Sequence, residues 1–216
     1  MTGWRRWFGV LLMSMMGTGL AQETGAIKLP PPEMEGSMPL MQALKARHST
    51  REFSSKPLPP QVLSNLLWAA NGVSRPESGK RTAPSARDWR EIDVIVATAE
   101  GAYRYDPPTH SLIRVVAGDM RPLTGNQAFV ASVPVNLVYV ANFERMSEAR
   151  AEDKALYSAA DTGFIAQNVY LYGASAGLAV VVRGSVDREA LGAALGLEKH
   201  QHVILAQSVG YPAGTR

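Results

Sequence analysis

The order of hydropathy patterns along this 216-residue chain predicts an α+β domain with a central mixed β-sheet packed by helices. Three features carry that expectation. Val133 to Ala141 is a near-continuous run rich in β-branched residues, the mark of a central strand covered on both faces. The segments Ala102 to Tyr105 and Leu112 to Val116 flank Asp106-Pro107-Pro108 and read as a hairpin. Thr162 to Ala176 is apolar nearly all round, as a buried helix should be. Hairpins interleaved with helical crossovers argue against a strict βαβ series.

The remaining elements follow in order. Arg5 and Arg6 precede an uncharged apolar run from Phe8 to Leu20, and small residues end it at Gly19-Leu20-Ala21. Residues 1–21 thus read as a secretory signal peptide, so the mature protein is expected in the periplasm with no stable membrane span after cleavage. Arg5-Arg6 followed by Phe8 also resembles the core of a twin-arginine signal. Residues 22–37 carry Pro30, Pro31 and Pro32, which forbid a helix or central strand, and should lie extended over the surface. The folded domain is expected over 38–216. Apolar spacing predicts a helix from Leu40 to Ala46 and a second from Pro59-Pro60 to a stop at Asn71-Gly72. A polar loop spans Val73 to Arg87, and Ile92, Val94 and Val96 alternate as a strand. Leu178 to Val182 reads as a strand, Asp187 to Leu195 as a short helix, and His202 to Val209 as the last strand.

Composition narrows the chemistry. One domain can be filled by a 46% hydrophobic content. The net charge of +3 comes with no basic stripe interleaved with aromatics, so no nucleic-acid partner is expected. Cysteine is absent, which excludes disulfides, thiolate metal sites and a cysteine nucleophile. Demanding chemistry then falls to a cofactor or to the backbone.

Arg47-His48-Ser49-Thr50-Arg51 is the most informative segment. In an extended chain, side chains two apart share a side, so Arg47, Ser49 and Arg51 converge while His48 and Thr50 point away. Two guanidiniums and a hydroxyl suit a dianionic phosphate, and a solvated basic surface is the plain alternative.

That segment, with Glu52-Phe53, resembles the R-[RH]-S-x-[RK]-x-[FY] opening of the nitroreductase family. Leu66 to Gly72 is similar to the family's LLWAAxG segment, and Arg81 to Ala86 to its R-T-x-P-S-A loop. Ala166 to Leu171 with Ser175 to Leu178 resembles its long core helix, and Val209-Gly210-Tyr211-Pro212 its terminal motif. The last two look closest to the azoline-oxidase branch, whose members make thiazole and oxazole rings. The resemblance implies a nitroreductase-like fold, an intertwined homodimer, and FMN at the subunit interface. Arg47, His48, Ser49 and Arg51 would grip the phosphate and ribityl chain, while Pro84, Ser85 and Ala86 would reach the flavin of the partner chain. Arg183-Gly184 would bring backbone against the flavin ring, with Gly184 as the catalytic position whose amide faces N5. Hydride would pass in ping-pong fashion from a reduced donor such as NAD(P)H to a small acceptor, a nitroaromatic or quinone. Acceptor choice would rest on loops at Leu123 to Ser132 and Glu144 to Lys154.

The pattern is broken in two places. The family often continues PSAGN, whereas Arg87-Asp88-Trp89 follows here, so Asp88 is the candidate acceptor for the ring N3–H. Arg216 is the only basic residue left for a terminal phosphate contact. A non-catalytic flavin-binding or assembly protein is therefore the second reading. Gly173-Ala174-Ser175-Ala176-Gly177 fits the G-x-S-x-G elbow of hydrolases, but a helix precedes it and a strand follows, the reverse of what an elbow needs. His200 and His202 share a strand face without an evident third metal ligand.

Overall fold

A computed structural model of the chain describes residues 25–214. The expected leader and Arg216 lie outside the described residues. A short edge strand, β1 (Ile27–Lys28), precedes the proline-rich segment, as three prolines require. Helix α1 (Leu40–Ala46) is followed by α2 (Pro60–Asn71), which starts on a proline and stops before Gly72. Within the polar loop, β2 (Val73–Arg75) and β3 (Lys80–Arg81) form a small separate hairpin. β4 (Ile92–Ala97), β5 (Gly101–Asp106) and β6 (Ser111–Ala117) make a meander, and β7 (Val135–Asn142) is the central strand. The 25-residue helix α3 (Ala151–Ser175), β8 (Ala179–Arg183), α4 (Arg188–Ala194) and β9 (Gln201–Gly210) complete the chain.

The strands form one seven-stranded sheet in the order β1-β6-β5-β4-β7-β9-β8. Every neighbouring pair is antiparallel, which corrects the expected mixed sheet. The reason is topological. β7 and β8, joined by the α3 crossover, do run the same way, but β9 inserts between them and opposes both. A second correction concerns α3, which begins at Ala151 and not at Thr162. Its first turns carry Glu152, Asp153 and Lys154 and expose Leu156, so they lack the all-round apolar signature of the buried half. The last four residues of the loop expected from Glu144 to Lys154 consequently belong to α3.

Core packing follows the alternation of β7. Val135, Leu137 and Tyr139 face α2 and α3 in the main cluster, while Val138 and Val140 face α4 with Val186, Leu191 and Leu195. Close approach of α3 to the sheet depends on Gly173, where a Cβ would lie 2.4 Å from Val180 Cγ2. Gly177, at φ +67°, ends the helix in the left-handed conformation, and the Leu178 amide donates to Gly173 O at 2.8 Å. The two glycines of the elbow-like motif thus have a packing and a conformational role respectively, and Ser175 Oγ merely accepts from the Met38 amide at 2.8 Å. Among the described residues no helix is long and apolar enough to cross a membrane.

Gly173→Ala is expected to cost on the order of 2 kcal/mol by overpacking against a stiff valine. Ser175→Ala, which removes one hydrogen bond, should cost about 1 kcal/mol or less. Urea denaturation of the two variants checks the ordering, and a larger loss for Ser175→Ala would refute this account of the motif.

Candidate active site

The Arg47 to Arg51 segment runs along the outer edge of β8. The Thr50 amide donates to Val180 O at 3.0 Å, occupying an edge strand that would otherwise be open. Of the three side chains expected to converge, Arg47 and Ser49 reach the same partner. Arg47 Cζ sits 5.4 Å from the centroid of the Tyr170 ring, and Ser49 Oγ is 2.8 Å from Tyr170 Oη. Tyr170 Oη also accepts from the Val182 amide at 2.9 Å. The phenol oxygen has two acceptor lone pairs, so either hydroxyl can donate in the Ser49–Tyr170 pair. Arg51 lies exposed beyond them, and His48 turns back so that its Nδ1 is 2.8 Å from Ala46 O. A cavity of about 210 Å³ opens beside the segment, lined by His48, Thr50, Tyr170 and Val180 among others.

At the end of β8, Gly184 is exposed, and a Cβ built on it would meet only Leu205 Cδ2, at 3.8 Å. The chain itself therefore has no steric need for glycine here. A bare backbone at this point suits the close approach of a flat group from outside. Arg183, whose backbone is the part expected at the ring, turns its side chain inward. Its side chain is buried, with Nη1 donating to Thr124 O at 2.7 Å and Nη2 to Asn136 Oδ1 at 3.1 Å, so it presents no side-chain donor to a ligand.

The Pro84 to Asp88 loop is built around two buried carboxylates that sequence reasoning missed, Glu91 and Asp161. The Ala86 amide donates to Asp161 Oδ2 at 2.9 Å, and Ser85 Oγ donates to Glu91 Oε2 at 3.2 Å while accepting from the Arg90 amide at 2.8 Å. The Ser85 hydroxyl and the Ala86 amide are thus turned inward, contrary to the expectation that they face a ligand. Asp88 is likewise engaged: both of its oxygens accept from Arg90, at 2.8 and 2.7 Å, and this pairing holds its carboxyl below the ordinary range. Arg87, Asp88 and Arg90 all adopt positive φ, near 50°, 57° and 51°, a costly conformation for non-glycine residues that surrounding bonds must maintain. Pro84, Ser85 and Asp88 line a cavity of about 20 Å³, room for one water. Glu91 Oε1 and Arg81 Nε are buried without a protein partner.

The two groups of candidate residues do not meet within one chain. Both hang from α3, one through Tyr170 and the other through Asp161, about 13 Å apart at 1.5 Å per residue. His200 Nδ1 lies 3.4 Å from Glu144 and 3.7 Å from Glu198, and His202 stacks on Phe143 at 4.4 Å, so the two histidines serve local contacts.

The model of the nitroreductase family matches residues 44–211. The chain belongs to the nitroreductase family. A nitroreductase-family protein of Methanocaldococcus jannaschii is 34% identical over 173 residues, covering 76% of this chain and 85% of its own. A family structure from Ralstonia eutropha superposes with a TM-score of 0.85 at 45% identity, covering 96% of this chain and 97% of the other. More distantly, the NADPH:FMN oxidoreductase of Vibrio harveyi, in complex with NAD⁺, shares the fold. Its TM-score is 0.62 at 21% identity, over 81% of this chain and 69% of its own. Membership in the family makes an oxidoreductase-type function the one suggested for this chain.

Glu91 supplies a pH test. Burial, and then the neighbouring Asp161 carboxylate, push its pKa up from 4.5 to about 7. An acid whose folded pKa is raised stabilises the fold fully below its unfolded pKa, and that contribution fades as pH climbs through the folded value. The protein should therefore lose on the order of 2 kcal/mol between pH 4.5 and 8 from this group. Glu91→Gln should flatten that part of the profile, measured as Tm against pH, and an unchanged slope would refute the assignment.

Proposed function

We propose that this protein is an FMN-dependent oxidoreductase that works as a homodimer and passes hydride from a reduced donor to a small oxidised acceptor by a ping-pong cycle. The observation that carries the reading is the convergence of Arg47 and Ser49 on Tyr170 beside a glycine, Gly184, that the chain's own packing does not require. Arg47, Ser49 and Arg51 would bind the phosphate end through charge-assisted donors. Gly184 would present its backbone to the ring, where a fixed dipole favours developing negative charge. FMN itself supplies the hydride chemistry, which needs no side-chain acid or base. The name of the Vibrio harveyi relative, an NADPH:FMN oxidoreductase, supports this choice of cofactor and of a nicotinamide donor.

The separation of the two candidate segments along α3 supports a dimeric reading, since a loop from a second copy would complete the site. Leu40, Met41 and Leu44 on α1, with Leu156 and Phe164 on α3, leave large apolar side chains between 43% and 75% exposed on neighbouring helices. Exposed apolar side chains of this size suit burial against a like surface. The finer kinship we propose, on the α3 motif and on Val209 to Pro212, is with the azoline-oxidase branch. On the reading of residues 1–21 as a leader, the enzyme acts in the periplasm. The second reading, a flavin-binding protein without turnover, is favoured by one observation, the locking of the Asp88 carboxylate by Arg90.

Purified protein is expected to be yellow, to be bleached by a reduced nicotinamide and to be reoxidised by a quinone or nitroaromatic. Yellow protein that resists both steps favours the second reading, and colourless protein unable to bind added FMN refutes the first. Arg47→Ala and Arg51→Ala should each weaken FMN binding by about one to two orders of magnitude, read by fluorescence titration. Gly184→Val should block flavin binding or reduction while leaving the urea midpoint nearly unchanged.

A further inference from the structure

Arg183 is 5% exposed, and all of its hydrogen-bond acceptors are neutral. Nε donates to Ser208 Oγ at 3.2 Å, and Nη1 to Thr124 O at 2.7 Å and Gln127 Oε1 at 3.5 Å. Nη2 donates to Asn136 Oδ1 at 3.1 Å and Thr124 Oγ1 at 3.4 Å. Among the described residues no carboxylate pairs with it. The cage is organised for a cation. Asn136 donates its amide hydrogen to Val130 O at 2.8 Å, which turns its oxygen toward the guanidinium. Gly125 leaves the room, since a Cβ there would fall 1.9 Å from Nη1.

Burial alone lowers the Arg183 pKa, to about 10, so the group stays charged at neutral pH. Sequestering a lone cation is expensive, and an apolar residue of similar volume would stabilise the fold at least as well. Packing therefore does not account for it. Its position does suggest a use, because Arg183 immediately precedes Gly184 and its charge is held within one side-chain length of that backbone.

We propose that the buried, unpaired guanidinium of Arg183 raises the reduction potential of the flavin that Gly184 adjoins. The inference rests on the flavin reading above. Two-electron reduction with uptake of one proton leaves one added negative charge on the ring, and a fixed cation in a poorly screened interior favours that form. Arg183 acts through its field and touches neither flavin nor substrate. In this role a permanently charged guanidinium suits the site better than a group that sheds its proton when buried.

The test is the midpoint potential of bound flavin in the full-length protein, read by dye-linked spectroscopic titration. Arg183→Gln should lower the potential by at least about 30 mV, a tenfold change in the two-electron equilibrium. Gln127→Glu keeps the cation but sets a carboxylate beside it, and should move the potential in the same direction even if Arg183→Gln fails to fold. Flavin-loaded Arg183→Gln with an unmoved potential overturns the proposal, and so does an unmoved potential in Gln127→Glu, which would mean that charge in this cage does not reach the ring. Protein that binds no flavin would instead refute the underlying cofactor reading, a distinct outcome.

Discussion

The contact on which the rest depends is the close seating of α3 against β8, made possible by the missing side chain at Gly173. It brings Tyr170 within reach of the β8 edge, where its hydroxyl takes the Val182 amide and meets Ser49. The same helix, nearer its start, carries Asp161 to the loop that begins at Pro84. One rigid rod thus positions both candidate segments, so their spacing is set by the helical rise and not by flexible loops. Moving the helix outward by an ångström would loosen the clamp and the loop together.

Two buried ionisable groups respond to the same low-dielectric environment in opposite ways. Glu91 relieves its isolation by taking up a proton near neutrality, which the adjacent Asp161 encourages. Arg183 keeps its charge, because even a substantially lowered guanidinium pKa lies above neutral pH. One group is therefore a conditional charge under a strained loop, and the other a permanent charge beside an exposed glycine. The two sites differ in protonation chemistry rather than in burial.

Local patterns made some parts of the molecule readable. α2 lies between a proline start and a glycine stop, both of which act through backbone geometry alone. β7 announces itself by an apolar run that only a strand covered on both faces needs. Arg47 and Ser49 were legible because period-two alternation persists wherever the chain is extended. Glu91 left a fainter trace, a carboxylate at the start of an apolar strand, and Asp161 one inside an apolar helix. Neither could be paired with the other, since they lie 70 positions apart in the sequence. Alternation along β8 would have set Arg183 on the side of buried Val181.

The sequence by itself determined most of the elements, the family resemblance and the phosphate-clamp candidates, because propensity, capping and motif spacing operate over a few neighbouring residues. Tertiary structure alone decided that β9 enters between β7 and β8, that Ser85 and Ala86 turn inward, and that Arg183 faces a neutral cage. Those outcomes depend on which distant surfaces meet, and a side chain's direction becomes a matter of chemistry only once its neighbours are in place.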